Sequence, residues 1–155
     1  MLLSELFAPQ DLLVPFAPPD KWEAIRALVE HLVETGHVPR ERLGEVLEAV
    51  LSREKSMSTG MERGVAIPHA AVDELESLAV AMGVVTRPEG LSFESADGRP
   101  AHFVVLLVIP RAQKLLHIRT LADVARTLSR EDVREELLAS TDAEGAHGIL
   151  ARAER

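Results

Sequence analysis

The chain has 155 residues, of which 46% are hydrophobic, 27% charged and only 3% aromatic, and 17 Lys and Arg against 25 Asp and Glu give a net charge of −8. That length is enough for one domain with its own hydrophobic core. The acidic balance argues against nucleic acid as a partner, because neutralising phosphates requires clustered Lys and Arg. The sequence contains no cysteine, which excludes disulfides, thiolate metal sites and cysteine nucleophiles.

Neither a targeting segment nor a membrane span is indicated. The first ten residues, MLLSELFAPQ, lack the basic segment and the long apolar run of a signal peptide. The longest apolar run, Phe103 to Ile109, is about a third of the length that a bilayer span requires. We therefore expect a cytoplasmic protein without direct membrane insertion. No repeat or long linker divides the sequence, so we expect a single domain over residues 1–155.

Two helices are predicted in the first third of the chain. Asp20 and Glu23 form a capping-box pattern ahead of apolar residues spaced three and four apart, and Gly36 is a natural stop for that helix. The same apolar period returns after Pro39 and continues to about Glu54. We expect these two helices to pack against each other as a pair.

The middle of the chain has the pattern of strands. Gly, Ser and Thr in the segment Met57–Gly64 predict a loop. Short apolar runs bounded by Pro, Gly and Asp predict strands at residues 65–67, 78–85, 91–94 and 101–109. The pair Asp97-Gly98 indicates a hairpin turn before the last of these strands.

The helical period returns after Pro110. It predicts one helix from about Leu115 to Leu128, a second around residues 133–138, and a third capped by Asp142 and ending near Leu150. Helices therefore precede and follow the strands. The fold class predicted from this order is α/β, with one sheet.

His69 is the first candidate for chemistry. It follows a short apolar strand and Pro68, and it lies at a strand end, where functional groups are often found. Proline fixes its own φ and restricts the preceding residue, so the backbone that carries the imidazole is stiff. A rigid backbone suits a nucleophile, because attack on phosphorus must be in line with the leaving group. The alternative is an ordinary loop histidine.

His117 and Arg53 are weaker candidates when each is taken alone. His117 shares a helix face with Leu121 and Val124, so its imidazole is predicted to point inward, either toward the strand ends or as a core histidine. Arg53 lies at the end of the second helix, where a cation is favourable, and its forked donors also suit a phosphoryl group.

The sequence motifs of several other activities are absent. The loop contains no GxxxxGK[ST] pattern, no GxGxxG follows a strand, and the sequence has neither HExxH nor GxSxG. These patterns give no support to a nucleotide, zinc or serine-hydrolase site. Ser58, Thr59, Gly60 and Gly64 are nevertheless candidates to offer hydroxyl and N–H groups to an anion.

Taken together, these segments resemble the signature of type-2 IIA domains of the bacterial phosphoenolpyruvate:sugar phosphotransferase system (PTS), in its fructose, mannitol and nitrogen-regulatory branch. The matching segments are Arg53-Glu54, Ser58-Thr59-Gly60, Gly64-Val65-Ala66-Ile67-Pro68-His69-Ala70, the segment from Phe93 to Pro100, Leu107-Val108-Ile109-Pro110, Gln113, His117 and Leu121-Ala122.

The resemblance implies a fold and a set of roles. It implies a single mixed β-sheet flanked by helices, with His69 as the phosphoacceptor, His117 as a second active-site histidine and Arg53 near the phosphoryl group. The donor would be an HPr-like phosphocarrier protein, and the acceptor would be a IIB component or a regulated target protein. The implied reaction uses no metal, nucleotide or organic cofactor.

Some positions depart from the family pattern and leave alternatives open. Met57 replaces a frequent glycine, and Gly60-Met61-Glu62-Arg63-Gly64 is bulkier and more charged than the family's usual loop. Arg111 stands where acidic residues are common. Arg63 is predicted either to contact an anion or to form a surface ion pair. The chain is accordingly predicted to be a sugar-transport or nitrogen-regulatory phosphoryl carrier, with a non-catalytic regulatory binding module as the alternative.

Overall fold

A central β-sheet lies between two layers of helices in the computed structural model, which describes residues 2–154. The strands are β1 (Leu12–Leu13), β2 (Val65–Ala66), β3 (His69–Val72), β4 (Ala79–Val84) and β5 (Phe103–Pro110). The helices are α1 (Leu3–Leu6), α2 (Lys21–Glu34), α3 (Leu43–Ser56), α4 (Lys114–Leu128), α5 (Glu131–Ala139) and α6 (Ala143–Ala153). Short 3₁₀ turns precede β1, α3 and α4, at Pro9–Asp11, Arg40–Arg42 and Arg111–Gln113.

The sheet is mixed, as the family resemblance implies. Its order is β1, β4, β5, and then β2 and β3, which follow one another along the free side of β5. The β4–β5 pair is antiparallel, whereas β1 pairs with β4 and both β2 and β3 pair with β5 in parallel. This topology places the start of β3 beside the middle of β5, with His69 opposite Leu107, and the end of β3 beside the end of β5.

Every side chain of β5 is buried, because helices cover both faces of the sheet. One face packs against α2 and α3, and the other packs against α1, α4, α5 and α6. Alternate residues of β5, such as Val104 and Val105, therefore belong to two different hydrophobic clusters. A strand covered on both faces has a continuous apolar sequence instead of an alternating one, which explains the run from Phe103 to Ile109.

The predicted helix boundaries are confirmed at several caps. The Asp20 carboxylate accepts a hydrogen bond from the backbone N–H of Glu23 at 2.9 Å, and Asp142 accepts from the N–H of Gly145 at 2.7 Å. Gly36 follows α2 with φ of +84°, a conformation that favours glycine. No helix among residues 2–154 combines the length and apolar composition needed to cross a bilayer.

Two local predictions were wrong or incomplete, and one segment was not predicted. The segment 91–94 is not a strand: Leu91 forms an isolated bridge with Ala101, and the positive φ of Glu94 (53°) ends the extended conformation. Residues 69–72 were expected to follow the strand, yet they form β3 after a break at Pro68. The elements in residues 3–13 have too short a pattern to be predicted, and they are held by contacts with α6 and β4.

Candidate functional site

The break between β2 and β3 presents His69. Ile67 and Pro68 interrupt pairing with β5, although the Pro68 carbonyl still accepts a hydrogen bond from the N–H of Leu107 at 3.1 Å. On the other side, the N–H of Ile67 donates to the carbonyl of Thr59 at 3.1 Å. The backbone before His69 is thus fixed from both sides. The His69 side chain is half-buried at the first position of β3.

One hydrogen bond determines the tautomer of His69. Its Nδ1 atom lies 2.8 Å from the backbone carbonyl oxygen of Ile67. A carbonyl oxygen only accepts hydrogen bonds, so Nδ1 carries the proton in the neutral ring and Nε2 keeps the free lone pair. The ring therefore presents one defined nucleophilic nitrogen.

The surroundings of His69 keep its imidazole neutral. Burial is the largest cause and lowers the pKa of His69 below its ordinary value, because the charged form is poorly solvated there. Arg53 and Lys114 lower the pKa further as like charges, whereas the hydrogen bond to Ile67 and the carboxylate of Glu54 act in the opposite direction. The net result favours the uncharged ring, which is the nucleophilic form.

A cavity of about 250 Å³ opens beside the imidazole. Its walls come from the end of α3, the loop after it, the β2–β3 break and α4, and the lining residues are Arg53, Ser58, Thr59, Gly60, Met61, Ile67, His69 and Leu121. Two of the three predicted site residues, Arg53 and His69, thus share one cavity. The guanidinium of Arg53 donates from Nη1 to the carbonyl of Met57 at 2.8 Å, which fixes the side chain at the end of α3.

A buried ion pair supports the loop, and sequence analysis gave it no role. Glu54 is 2% exposed, and its carboxylate accepts from the N–H of Thr59 at 2.9 Å and from the Thr59 hydroxyl at 2.5 Å. The Lys21 ammonium lies 3.2 Å from Glu54 and 3.0 Å from the exposed Glu94. It also lies 5.5 Å from the ring centroid of Phe93. Lys21 of α2 is therefore the counter-ion of Glu54, and Glu54 in turn fixes Thr59 in the wall of the cavity.

The polar groups of the loop bind other protein atoms. The Ser58 hydroxyl donates to the carbonyl of Phe93 at 2.6 Å and accepts from the N–H of Gly60 at 3.1 Å. Both donors of Thr59 go to Glu54. Loop anchoring therefore uses these groups of Ser58, Thr59 and Gly60 in the free protein, and their role toward an anion stays a prediction.

His117 lies on the first turns of α4 and is 7% exposed, as the inward-facing interpretation predicted. Its Nε2 atom donates to the side-chain oxygen of Gln113 at 3.1 Å, and its Nδ1 atom faces the Thr120 hydroxyl at 3.4 Å. Within residues 2–154, no hydrogen bond joins His117 to His69. Leu121, one helical turn further along the same face, does line the cavity.

The other four histidines make structural contacts with other parts of the chain. His31 and His147 bond the carbonyls of Gln10 and Ser4. His37 bonds the buried carboxylate of Asp11 at 2.8 Å, and His102 bonds the carbonyl of Val85 at 2.8 Å. These contacts tie the N-terminal segment and the strand ends to the rest of the fold.

Exposed apolar side chains occur on two of the elements that border the cavity, the loop after α3 and the start of α4. We call them the apolar rim; its members and exposed fractions are Met57 (70%), Met61 (41%), Leu115 (83%), Leu116 (68%) and Ile118 (54%). Leu115 and Ile118 contributed to the period that predicted α4, yet they face solvent. A cluster of exposed large apolar residues is typical of a protein–protein contact surface.

Comparison with known proteins identifies the class to which this fold and site belong. The chain belongs to the EIIA 2 family of the phosphoenolpyruvate-dependent sugar phosphotransferase system, whose model matches residues 6–153. It is 35% identical to a nitrogen regulatory protein of Bradyrhizobium diazoefficiens over 152 aligned residues. The alignment covers 97% of this chain and 95% of the relative. It is 33% identical to the fructose-specific EIIA component of the PTS from Haloferax volcanii, over 86% of this chain and 84% of the relative.

Solved structures agree with this assignment. The nitrogen regulatory protein IIA-Ntr of Neisseria meningitidis superposes with a TM-score of 0.81 at 25% identity, covering 96% of this chain and 98% of that one. The IIA mannitol protein of Escherichia coli superposes with a TM-score of 0.76 at 25% identity, covering 93% and 98% of the two chains. The predicted family and the predicted mixed sheet flanked by helices are both confirmed.

Proposed function

We propose that this protein carries a phosphoryl group on Nε2 of His69. The observation that supports this role is the hydrogen bond from Nδ1 to the Ile67 carbonyl at 2.8 Å, which leaves Nε2 as the free nucleophilic nitrogen. The lowered pKa of His69 keeps that nitrogen unprotonated at neutral pH. Membership of the EIIA 2 family makes phosphoryl transfer the matching chemistry.

The transfer is a displacement at phosphorus between two imidazoles. The Nε2 lone pair of His69 forms the new N–P bond while the N–P bond of the donor phosphohistidine breaks, and that electron pair returns to the donor ring. The proton on Nδ1 of His69 stays in place, and its bond to the Ile67 carbonyl strengthens as the phosphorylated ring becomes positive. The donor ring, protonated on its other nitrogen, leaves as a neutral imidazole. Because one imidazole N–P bond replaces another, the two states are similar in free energy and the transfer is reversible.

Arg53 and His117 would stabilise the transferred group. The Arg53 guanidinium shares the cavity with His69 and has donors left after its bond to Met57. The N–H at Nε2 of His117, held by Gln113 in the free protein, would donate to a phosphoryl oxygen instead. Such donors stabilise the negative charge on the oxygens of the phosphoryl group during transfer. Electrostatic stabilisation of this kind is the main source of catalysis in phosphoryl transfer.

The apolar rim is the surface on which we propose that protein partners dock. A phosphohistidine donor must bring its own ring up to His69, so its surface has to contact the elements that border the cavity. We propose an HPr-like phosphocarrier as donor. A IIB component is a proposed acceptor, since a structural relative of 25% identity was solved as a complex of IIA mannitol with phosphorylated IIB mannitol from Escherichia coli. These partners would place the protein in the cytoplasm.

A regulated target protein is the second proposed partner, and its binding would depend on whether His69 is phosphorylated. Nitrogen regulatory proteins are among the relatives that this chain matches over almost its full length. A phosphoryl group adds roughly −1.5 to −2 charge at neutral pH, and here it would appear next to an apolar docking surface. Phosphorylation would therefore change which partner binds, even where no sugar is transported.

The experiment is phosphorylation by a reconstituted cascade. The protein is incubated with phosphoenolpyruvate, enzyme I and HPr of the same organism, and intact mass is measured. We expect the gain of one acid-labile phosphoryl group, its loss in His69→Ala, and normal labelling in the matched control His147→Ala, whose imidazole bonds Ser4. No labelling with any cognate carrier would reject the proposal and favour the non-catalytic binding module.

A further inference from the structure

A second cationic cavity, formed by other residues than those around His69, has a volume of about 340 Å³. Its lining residues are Arg63, Arg99, Glu131 and Arg134. We call it the arginine pocket. Three guanidinium groups face a single lining carboxylate there, on a chain whose overall net charge is −8. Such a local excess of positive charge on an acidic protein marks a place where an anion would be attracted.

Arg134 has a hydrogen-bonding capacity that the protein does not use. Its Nη1 atom is buried and has no hydrogen-bond partner within residues 2–154. The guanidinium lies over the ring of Phe103, with its central carbon 5.7 Å from the ring centroid. Because this Nη1 atom is closed off from solvent, a ligand in the pocket would be bound by the other donors of the Arg134 guanidinium.

Asp97 fixes the backbone of the other two arginines. Its Oδ2 atom accepts from the N–H of Arg63 at 2.9 Å, and its Oδ1 atom accepts from the N–H of Arg99 at 3.0 Å. Both carboxylate oxygens are thus engaged by backbone, and the nearest side-chain contact, with the Arg99 guanidinium, is 3.9 Å long. Asp97 keeps its negative charge, so the three guanidinium groups face two carboxylates, those of Asp97 and Glu131, and the pocket retains an excess of positive charge.

Arg63 adopts an unusual backbone conformation at this place. Its φ is +59°, a region that side chains larger than Gly, Asn or Asp rarely adopt. Apart from a long bond of 3.3 Å to the Ser129 carbonyl, no other hydrogen bond or ion pair of its side chain exists in the described part of the chain. The surface ion pair that was one of two predictions for Arg63 is therefore absent from these residues.

Like charges in the pocket affect one another. Burial, followed by the positive charges of Arg63 and Arg99, lowers the pKa of Arg134, while Glu131 and Asp97 act against this. Since a guanidinium does not lose its proton in proteins, repulsion among the three groups is relieved by binding an anion. Planar forked donors match the oxygens of phosphates and carboxylates, and of these two anions a phosphate carries the higher charge.

We propose that the arginine pocket binds a small phosphate-bearing molecule. The ligand class is a compact, multiply charged phosphate, because three cations converge on a cavity large enough for a diphosphate. Inorganic pyrophosphate and the diphosphate of a nucleotide share that chemistry. This proposal does not depend on phosphoryl transfer by His69, because the two cavities have no lining residue in common.

Titration calorimetry with inorganic pyrophosphate tests the proposal, at physiological ionic strength so that diffuse charge attraction is screened. We expect saturable binding that weakens roughly tenfold or more in Arg134→Gln, since a charge-assisted hydrogen bond is lost. Arg63→Asn should weaken it as well, and asparagine tolerates the positive φ, so the backbone is kept. Arg40→Gln is the matched control, because Arg40 is an exposed arginine of the α2–α3 connection.

Two further measurements locate the binding site and distinguish pyrophosphate from a nucleoside diphosphate as the preferred ligand. Arg53→Gln should leave binding unchanged, which separates this pocket from the cavity at His69. A nucleoside diphosphate that binds more tightly than pyrophosphate would indicate added contacts with its organic part, whereas equal affinity would indicate recognition of the phosphates alone. The proposal is overturned if pyrophosphate does not bind saturably, or if both Arg134→Gln and Arg63→Asn bind it like the wild type.

Discussion

The Nδ1 atom of His69 donates a hydrogen bond of 2.8 Å to the carbonyl oxygen of Ile67, two residues earlier in the chain. The intervening Pro68 restricts the backbone so that this short contact is geometrically defined. The contact decides the tautomer, and the tautomer decides which nitrogen is nucleophilic. The backbone at Ile67 and Pro68 therefore determines which nitrogen of His69 is available as the nucleophile.

The first prediction concerns the titration of His69. Because burial and the nearby cations lower its pKa, we expect the ring to titrate with a midpoint below the ordinary value of about 6.5. Nitrogen-15 NMR of the imidazole should show a protonated Nδ1 and an unprotonated Nε2 at neutral pH. A midpoint above 6.5, or the opposite tautomer, would contradict the proposed nucleophile.

The same shift has a consequence for stability with a definite sign. Between the folded-state pKa and about 6.5, the unfolded chain binds a proton at His69 that the folded chain does not. The free energy of unfolding contributed by this group therefore falls as pH is lowered through that window, and it is constant above it. Comparison with His69→Gln by urea denaturation isolates the effect, since glutamine does not titrate.

The second prediction concerns the buried pair of Lys21 and Glu54. Glu54→Gln leaves the Lys21 ammonium in a buried place, where the exposed Glu94 is its one remaining counter-ion among residues 2–154. We expect the free energy of unfolding to fall by about 3 kcal/mol, as is usual when one partner of a buried pair is removed. Glu94→Gln is the control and should cost less than about 1 kcal/mol, because that carboxylate is solvated. Equal losses in the two variants would show that Glu54 has no special role.

How far the sequence predicts this molecule depends on the range of the interactions. Helix α2 was predictable because Asp20 and Glu23 form a local cap with a recognisable spacing. The network that holds the loop was not, because Lys21 and Glu54 are 33 positions apart and neither belongs to a local pattern. His69 and Arg53 were candidates from their positions at a strand end and a helix end, and the family resemblance implied their roles. Only the coordinates showed that they share a cavity. The apolar rim was hidden because Leu115 fits the helical period although it faces solvent.

The third prediction concerns the close packing of Gly60. A Cβ atom at this position would lie 2.7 Å from the Phe93 carbonyl oxygen and 2.9 Å from the Cα atom of Ser95. Gly60→Ala must therefore displace the loop, and we expect a loss of about 2 kcal/mol in the free energy of unfolding, together with slower phosphorylation. Gly44→Ala is the matched control. Beyond its own helix, no atom of residues 2–154 lies within 4 Å of the Cβ position of Gly44 in α3, so this substitution should stabilise the protein by about 0.5–1 kcal/mol. Similar effects of the two substitutions would argue against a tightly held loop.

The fourth prediction concerns the apolar rim. Leu115 is 83% exposed, so Leu115→Ser should leave the stability of the fold unchanged. If a phosphocarrier docks on this surface, the KM for the phosphorylated donor should rise roughly tenfold, since an apolar contact in a small interface is lost. Leu2→Ser, at an exposed leucine outside the rim, serves as the control. An unchanged KM in Leu115→Ser would place the docking surface elsewhere.

The fifth prediction separates the two ring nitrogens of His117. If its Nε2–H passes from Gln113 to the phosphoryl group, His117→Ala should lower the rate of transfer about a hundredfold, as the loss of one positioned donor commonly does. Thr120→Val removes the partner of Nδ1 and leaves Nε2 in place, so its effect should be much smaller. The KM for the donor should change little in either variant, because the imidazole is buried and outside the apolar rim. Rapid-mixing measurements of single-turnover phosphorylation give the comparison directly. A wild-type rate in His117→Ala would show that His117 is a core histidine, bonded within its own helix and without a part in the transfer.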